Sequence, residues 1–80
     1  MIIRAIYDLG EKHLDRFTVY YREYNANGYY TARAMSEHPF RPDGFGQMTS
    51  GMMGKHNGKR VTFDDLPIDC QKLVKMDLGE

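Results

Sequence analysis

The sequence predicts a small α+β domain in which a C-terminal helix packs on an antiparallel sheet. Two observations carry this prediction: two strand-like runs flank Asn27-Gly28, and an apolar stripe at helical spacing lies near the C-terminus. The chain has 80 residues, the size of one domain. Its hydrophobic content of 41% is typical of a folded globule rather than a disordered segment. We therefore predict a single domain over residues 1–80.

A hairpin is the clearest element of the predicted sheet. Residues 16–24 and 29–35 are rich in β-branched and aromatic side chains, which is typical of strands. Asn27-Gly28 favours a two-residue turn between them, because both positions tolerate a positive φ. The implied register sets Tyr24 opposite Thr31, Arg22 opposite Arg33 and Tyr20 opposite Met35.

This register divides the hairpin into two faces. The face that we expect to be buried carries Phe17, Val19 and Tyr21 opposite Ala32 and Ala34. The face that we expect to be exposed carries Tyr20, Arg22, Tyr24, Tyr29 and Arg33. Tyrosine and arginine are enriched at the energetic centres of protein interfaces, and the same side chains can stack on nucleic-acid bases. The exposed face is thus a candidate partner-binding surface, unless the helix or a long loop covers it.

The remaining elements follow from local pattern. Residues 59–63 alternate in polarity and predict a further strand. A helix is predicted over about 66–78, since Pro67 suits the first turn and Gly79 suits the position directly after the last turn. Its apolar stripe consists of Leu66, Cys70, Leu73 and Val74. Residues 2–9 favour an N-terminal strand, with a short helix extending to His13 as the alternative.

Residues 36–58 form a long predicted loop that is rich in glycine and proline. Structureless loops of this length are uncommon in a compact domain and are usually functional or disordered. Pro42-Asp43-Gly44 predicts a turn within the loop. We expect Phe40 and Phe45 to pin the two sides of that turn to the core.

Charge restricts the class of partner. The formal net charge is zero, which disfavours direct nonspecific binding to nucleic acid. Charge is nevertheless segregated, because residues 41–63 contain several cations and only one acid, Asp43. These cations, which would steer binding to an acidic partner or a phosphate backbone, are Arg41, Lys55, Lys59 and Arg60.

No catalytic, cofactor-binding or metal-binding set is complete in the sequence. The segment from Gly54 to Lys59 lacks the spacing and the Ser or Thr of a phosphate-binding loop. Cys70 lies on the apolar stripe beside Asp69, which favours a buried thiol over a nucleophile. An enzyme built on the His38–Asp43 loop is the least supported alternative. We therefore expect a protein that is not an enzyme and that needs no cofactor.

Two further features bear on the compartment. A lone cysteine fits a reducing environment, and no apolar run reaches the length of a membrane span. We expect a cytoplasmic protein without a membrane partner. Six methionines specify core packing only weakly, so a homodimer could add stability to the fold.

Three segments in the second half, together with the strand 15–21, carry a resemblance to a known family. They read MSEHPFRPDGFGQ (35–47), GKRVTFDDLP (58–67) and CQKLV (70–74). The chain resembles small uncharacterised proteins of bacteriophages and prophages, and its size and neutrality are similar to those of anti-CRISPR proteins. The resemblance implies a non-enzymatic inhibitor, acting in the host cytoplasm, that binds a bacterial defence complex. The candidate partner that the resemblance implies is a type I CRISPR surveillance complex, for example one of type I-C.

The resemblance assigns no contact residues. The inhibitor would prevent the complex from engaging nucleic acid or another subunit. The alternative is a small nucleic-acid-binding accessory protein of a phage.

Overall fold

The computed structural model describes all residues from Met1 to Glu80 and shows one antiparallel sheet with a single C-terminal helix packed on it. The elements are β1 (Ile3–Asp8), β2 (Phe17–Tyr24), β3 (Tyr30–Met35), β4 (Gly46–Gly51), β5 (Lys59–Val61) and α1 (Ile68–Asp77). The strands are arranged in the order β4-β3-β2-β1-β5. The α+β prediction is therefore confirmed.

The predicted elements are present with shifted ends. The N-terminal run is a strand and not a helix, because β1 pairs with β2 on one side and β5 on the other. β5 ends at Val61, earlier than the predicted 63, where Thr62 and Asp65 form a capping box around a short 3-10 turn. α1 starts at Ile68, directly after Pro67, and so covers slightly less than the predicted 66–78.

The β2–β3 hairpin does not have the predicted register. The Asn25 N–H donates to the Tyr29 carbonyl at 2.9 Å, so residues 26–28 form the loop instead of Asn27-Gly28 alone. A bulge between Tyr20 and Tyr24 shifts the pairing again. The pairs include Tyr20 with Ala32 and Val19 with Arg33. Since a one-residue slip moves every side chain of a strand to the other face, Arg33 lies on the opposite face from the one predicted.

One face of the sheet, here called the helix face, packs against α1. Its core contains Ile6, Phe17, Val19, Tyr21 and Met35 from the strands and Leu66, Cys70, Leu73 and Val74 from the helical segment. The predicted burial of Phe17, Val19 and Tyr21, and of the helix stripe, is confirmed. Met35, and not Ala32 or Ala34, contributes from β3 because of the shifted register.

The predicted loop 36–58 is largely structured. β4 pairs with β3 along its full length, from Met35 opposite Gly46 to Tyr30 opposite Gly51. Residues 52–58, here called the crossover segment, then join β4 at one edge of the sheet to β5 at the other. This segment includes a 3-10 turn at Lys55–Asn57. We call the sheet face beneath it the crossover face.

The expectation that Phe40 packs into the core beside the Pro42-Asp43-Gly44 turn is wrong. The Phe40 side chain is 51% exposed, whereas Phe45 is half-buried. The turn is closed by its own backbone, since the Arg41 N–H donates to the His38 carbonyl and the Gly44 N–H donates to the Arg41 carbonyl. Phe45 is tied to the sheet by backbone and side-chain bonds with Ser36. The turn therefore does not need Phe40 as an anchor.

Candidate functional site

The crossover segment buries part of the predicted partner-binding surface. Tyr20 lies on the crossover face but is only 3% exposed. Its hydroxyl donates to Asn57 Oδ1 at 2.9 Å and lies 3.1 Å from the Met52 carbonyl oxygen, and its ring meets the Tyr7 ring edge to face at 5.9 Å. The prediction that Tyr20 is an exposed anchor is wrong, because the chain satisfies this side chain internally.

Arg33 is also withdrawn from the predicted surface. It faces α1, where Nε donates to Asp77 Oδ2 at 3.0 Å and Nη2 donates to Asp77 Oδ1 at 2.5 Å. The Tyr21 hydroxyl donates to the same carboxylate at 2.6 Å. Burial raises the pKa of the Asp77 carboxyl, but the bonds from Arg33 and Tyr21 outweigh burial and leave it below its usual value. Arg33 thus fastens the helix to the sheet.

A cluster of arginine and tyrosine side chains is exposed at one corner of the crossover face. Arg4, Arg22, Tyr24 and Tyr30 line a shallow depression of about 260 Å³, which we call the arginine–tyrosine patch. Tyr24 is opposite Tyr30 across β2 and β3, and their rings meet at 5.6 Å with an interplanar angle of 67°. Tyr24 is 67% exposed. No residue of the crossover segment lines the depression, so the patch is open to solvent.

The cations of this patch lack internal partners. The ion pairs of the protein involve Arg16 with Asp8 and Glu37, and Arg33 with Asp77. No carboxylate lies within ion-pair distance of Arg4 or Arg22, and none lines the depression. Arg60 lies on β5, which pairs with the strand of Arg4, and its Nη2 donates to the Arg4 carbonyl at 3.3 Å. The corner therefore presents uncompensated positive charge beside exposed aromatic rings.

The other predicted site residues are exposed but do not form one surface. Tyr29, 43% exposed, adjoins the patch at the hairpin loop. Lys55 lies in the crossover segment and Lys59 pairs with Asp8 in the sheet register. Arg41 follows the end of β3 that is opposite to Tyr30, and it lines the polar cleft instead of the patch. Of the predicted steering cations, Arg60 alone reaches the patch.

Two patch residues were absent from the predicted set. Arg4 joins Arg22 because β1 pairs with β2, and Tyr30 joins Tyr24 because the loop is longer than the predicted turn. Alternation alone would place Arg4 on the face of Ile6, which is buried against α1. The register shift between Ile3 and Ala5 brings Arg4 to the other face, and no local signal in the sequence marks that shift.

A polar cleft lies at the other end of the sheet. It measures about 280 Å³ and is lined by residues 11–14, 36–38, 41, 43 and 44, which include His13, His38, Arg41 and Asp43. Glu37 is bound to Arg16, and no side-chain hydrogen bond joins His38 to a carboxylate. No group of three or more His, Cys, Asp or Glu side chains is arranged to hold a metal ion. His38 and Asp43 therefore both line this cleft, but no hydrogen bond joins them as an acid–base pair.

Cys70 is buried, as predicted, and its thiol donates to the Ser36 carbonyl at 3.1 Å. Burial raises the pKa of the Cys70 thiol to about 12. Because the thiolate is the nucleophilic form, this thiol is unreactive near neutral pH.

Comparisons with known proteins find no matching family model, curated protein or solved structure. The one helix, α1, is too short and too polar to cross a membrane.

Proposed function

We propose that this protein is a non-enzymatic inhibitor of phage origin that binds a bacterial defence complex through the arginine–tyrosine patch. The observation that carries the proposal is Tyr24, a two-thirds exposed ring flanked by Arg22 and Arg4 without a carboxylate in reach. Exposed aromatic and guanidinium groups at one corner have the composition of an interface centre. The missing counter-charges are supplied by an acidic surface on the partner.

The partner is a subunit of a type I CRISPR surveillance complex, and the site of action is the host cytoplasm. Support comes from the resemblance to phage and prophage proteins carried by residues 35–47, 58–67 and 70–74. A bound inhibitor of this size blocks nucleic acid or a second subunit by occupying the surface that either one needs. Catalysis is not required for such an action.

Alanine at Tyr24 or Arg22 is expected to weaken binding to a purified type I complex by about 2 kcal/mol, roughly 30-fold in Kd. Both side chains are exposed; Arg22 has no side-chain hydrogen bond within the chain, and Tyr24→Ala removes only the contact with the Tyr30 ring, so both variants should stay folded. Biolayer interferometry with immobilised complex measures the effect. Lys72→Ala is the matched control, because Lys72 is an exposed cation of α1 on the other side of the sheet. Wild-type affinity in both patch variants would contradict the assignment of this surface.

A nucleic-acid-binding accessory is the second candidate function. It is favoured by the same corner, where two tyrosines and unpaired arginines on a sheet offer a stacking platform beside positive charge. This function predicts binding to labelled single-stranded RNA or DNA, with affinity that falls steeply as salt is raised. Absence of binding at low salt excludes it and leaves the protein-binding proposal intact.

A further inference from the structure

β4 is an open edge of the sheet. It is the terminal strand in the order β4-β3-β2-β1-β5, and nothing in the chain pairs with its outer side. Residues 46–50 are exposed and Gly51 is half-buried. A row of free backbone N–H and C=O groups therefore faces solvent along the full length of the strand.

The two edges of the sheet are protected to different degrees. Natural proteins shield edge strands by making them short, charged, proline-containing or bulged. β5 is three residues long and carries Lys59 and Arg60. β4 is six residues long, contains no charge or proline, and pairs with β3 without a register shift. β4 has none of the features that normally prevent another strand from pairing.

We propose that β4 pairs antiparallel with β4 of a second copy of this chain, so that the two sheets become continuous. A two-fold axis brings each strand against its own sequence, and any charge near the axis would meet a like charge. The sequence GQMTSG is free of charge and so meets this condition. This electrostatic self-compatibility favours a second copy over a partner with a charged strand.

The backbone pattern fixes the register. The Ser36 N–H donates to the Phe45 carbonyl, and bonded positions alternate along an antiparallel pair. Residues 47, 49 and 51 thus direct their backbone groups at β3, whereas Gly46, Met48 and Ser50 direct theirs outward. A two-fold axis at Met48 matches all three outward positions, with Gly46 opposite Ser50 and Met48 opposite Met48.

The side chains suit this register. Met48 pairs with Arg33 and so lies on the helix face, where it is 37% exposed and would meet its copy across the axis. Gly46 lies tightly against α1, since a Cβ there would be 2.9 Å from Leu73 Cδ2. The residue opposite Gly46 is Ser50, whose small side chain can approach this crowded end.

A charge-exchange experiment tests the pairing. Sedimentation equilibrium should show a wild-type dimer with Kd on the order of micromolar. Met48→Lys and Met48→Glu should each raise the Kd at least about tenfold, because like charges then lie directly opposite. An equimolar mixture of the two variants should restore the dimer, because opposite charges then face each other. Gln47→Lys is the matched control and should keep the dimer, since residue 47 meets Thr49 and not its own copy.

Circular dichroism and thermal unfolding establish that each variant is folded. A wild-type protein that remains monomeric up to about 1 mM, where association is worth only about 4 kcal/mol, would overturn the proposal. Dimers that persist in both charged variants, or a mixture that stays monomeric while the wild type is dimeric, would place the contact elsewhere and also overturn it. None of these outcomes depends on the function of the arginine–tyrosine patch.

Discussion

Replacement of Asp77 by alanine is expected to lower the free energy of unfolding by about 3 kcal/mol, within the range for a buried ion pair that loses one member. The Asp77 side chain is 6% exposed and that of Arg33 is 16% exposed. Alanine would leave the Arg33 guanidinium without its bidentate partner and the Tyr21 hydroxyl without an acceptor. A chain of 80 residues has roughly 4–12 kcal/mol of stability, so the loss is a large fraction of the total.

Urea unfolding followed by circular dichroism measures this loss. Combining Arg33→Met with Asp77→Leu replaces both ends by apolar side chains and should recover most of it, since the cost arises from an unpaired charge. A loss below about 1 kcal/mol for Asp77→Ala would show that the pair behaves like an exposed one.

The same carboxylate predicts a dependence on acid. Because the folded-state pKa of Asp77 lies below 3.8, the unfolded state binds a proton first as the pH falls. The contribution of Asp77 is therefore present above its unfolded pKa and is lost as the pH falls through the folded value. Asp8 and Asp65 also have lowered pKa values and add to the loss. Asp77→Asn should make the acid dependence shallower, and an unchanged slope would contradict this assignment.

Gly58→Ala is expected to destabilise the protein by more than about 3 kcal/mol, because backbone strain and a steric clash add. Gly58 has φ of 92° and ψ of −148°, a combination that is essentially confined to glycine and costs other residues about 1–3 kcal/mol. A Cβ at this position would also lie 2.3 Å from the Asp8 carbonyl oxygen. The clash is with backbone, so the crossover segment and β5 have to move away from β1.

Gly28→Ala is the matched control for Gly58→Ala. Gly28 has φ of 83°, but an added Cβ would meet nothing within 4 Å. Its cost should be the backbone strain alone, about 1–2 kcal/mol. Equal losses in the two variants, measured by urea unfolding, would contradict the close approach of the crossover segment to β1.

The sequence was sufficient for the elements that local pattern determines. Strands β1, β2 and β3 and the helix stripe from Leu66 to Val74 follow from residue type and spacing. β4 was missed because GQMTSG contains only one β-branched residue, and its pairing with β3 is what makes it a strand. The three-residue loop 26–28 is not predicted because Asn27-Gly28 favours a two-residue turn, and this one-residue slip is what puts Arg33 on the other face. The bulge between Tyr20 and Tyr24 shifts the pairing by two further residues without changing the face, and no local signal marks it.

The site was predictable only where its side chains have no distant partner. Arg22 and Tyr24 were named correctly as exposed residues of the hairpin. Tyr20 was not, because the acceptor of its hydroxyl, Asn57, lies 37 residues later in the chain. Arg33 binds Asp77 at a separation of 44 residues. Burial by contacts of such long range depends on topology, which periodicity does not specify.

A phage-plating assay tests the central proposal most directly. Bacteria with an active type I surveillance complex that targets a phage express this protein, its Tyr24→Ala variant, its Arg22→Ala variant or the Lys72→Ala control. We expect the wild type and Lys72→Ala to restore plaque formation, and both patch variants to lose most of that effect while accumulating to equal levels. No restoration by the wild type against any type I complex, or full activity of both patch variants, would contradict the account.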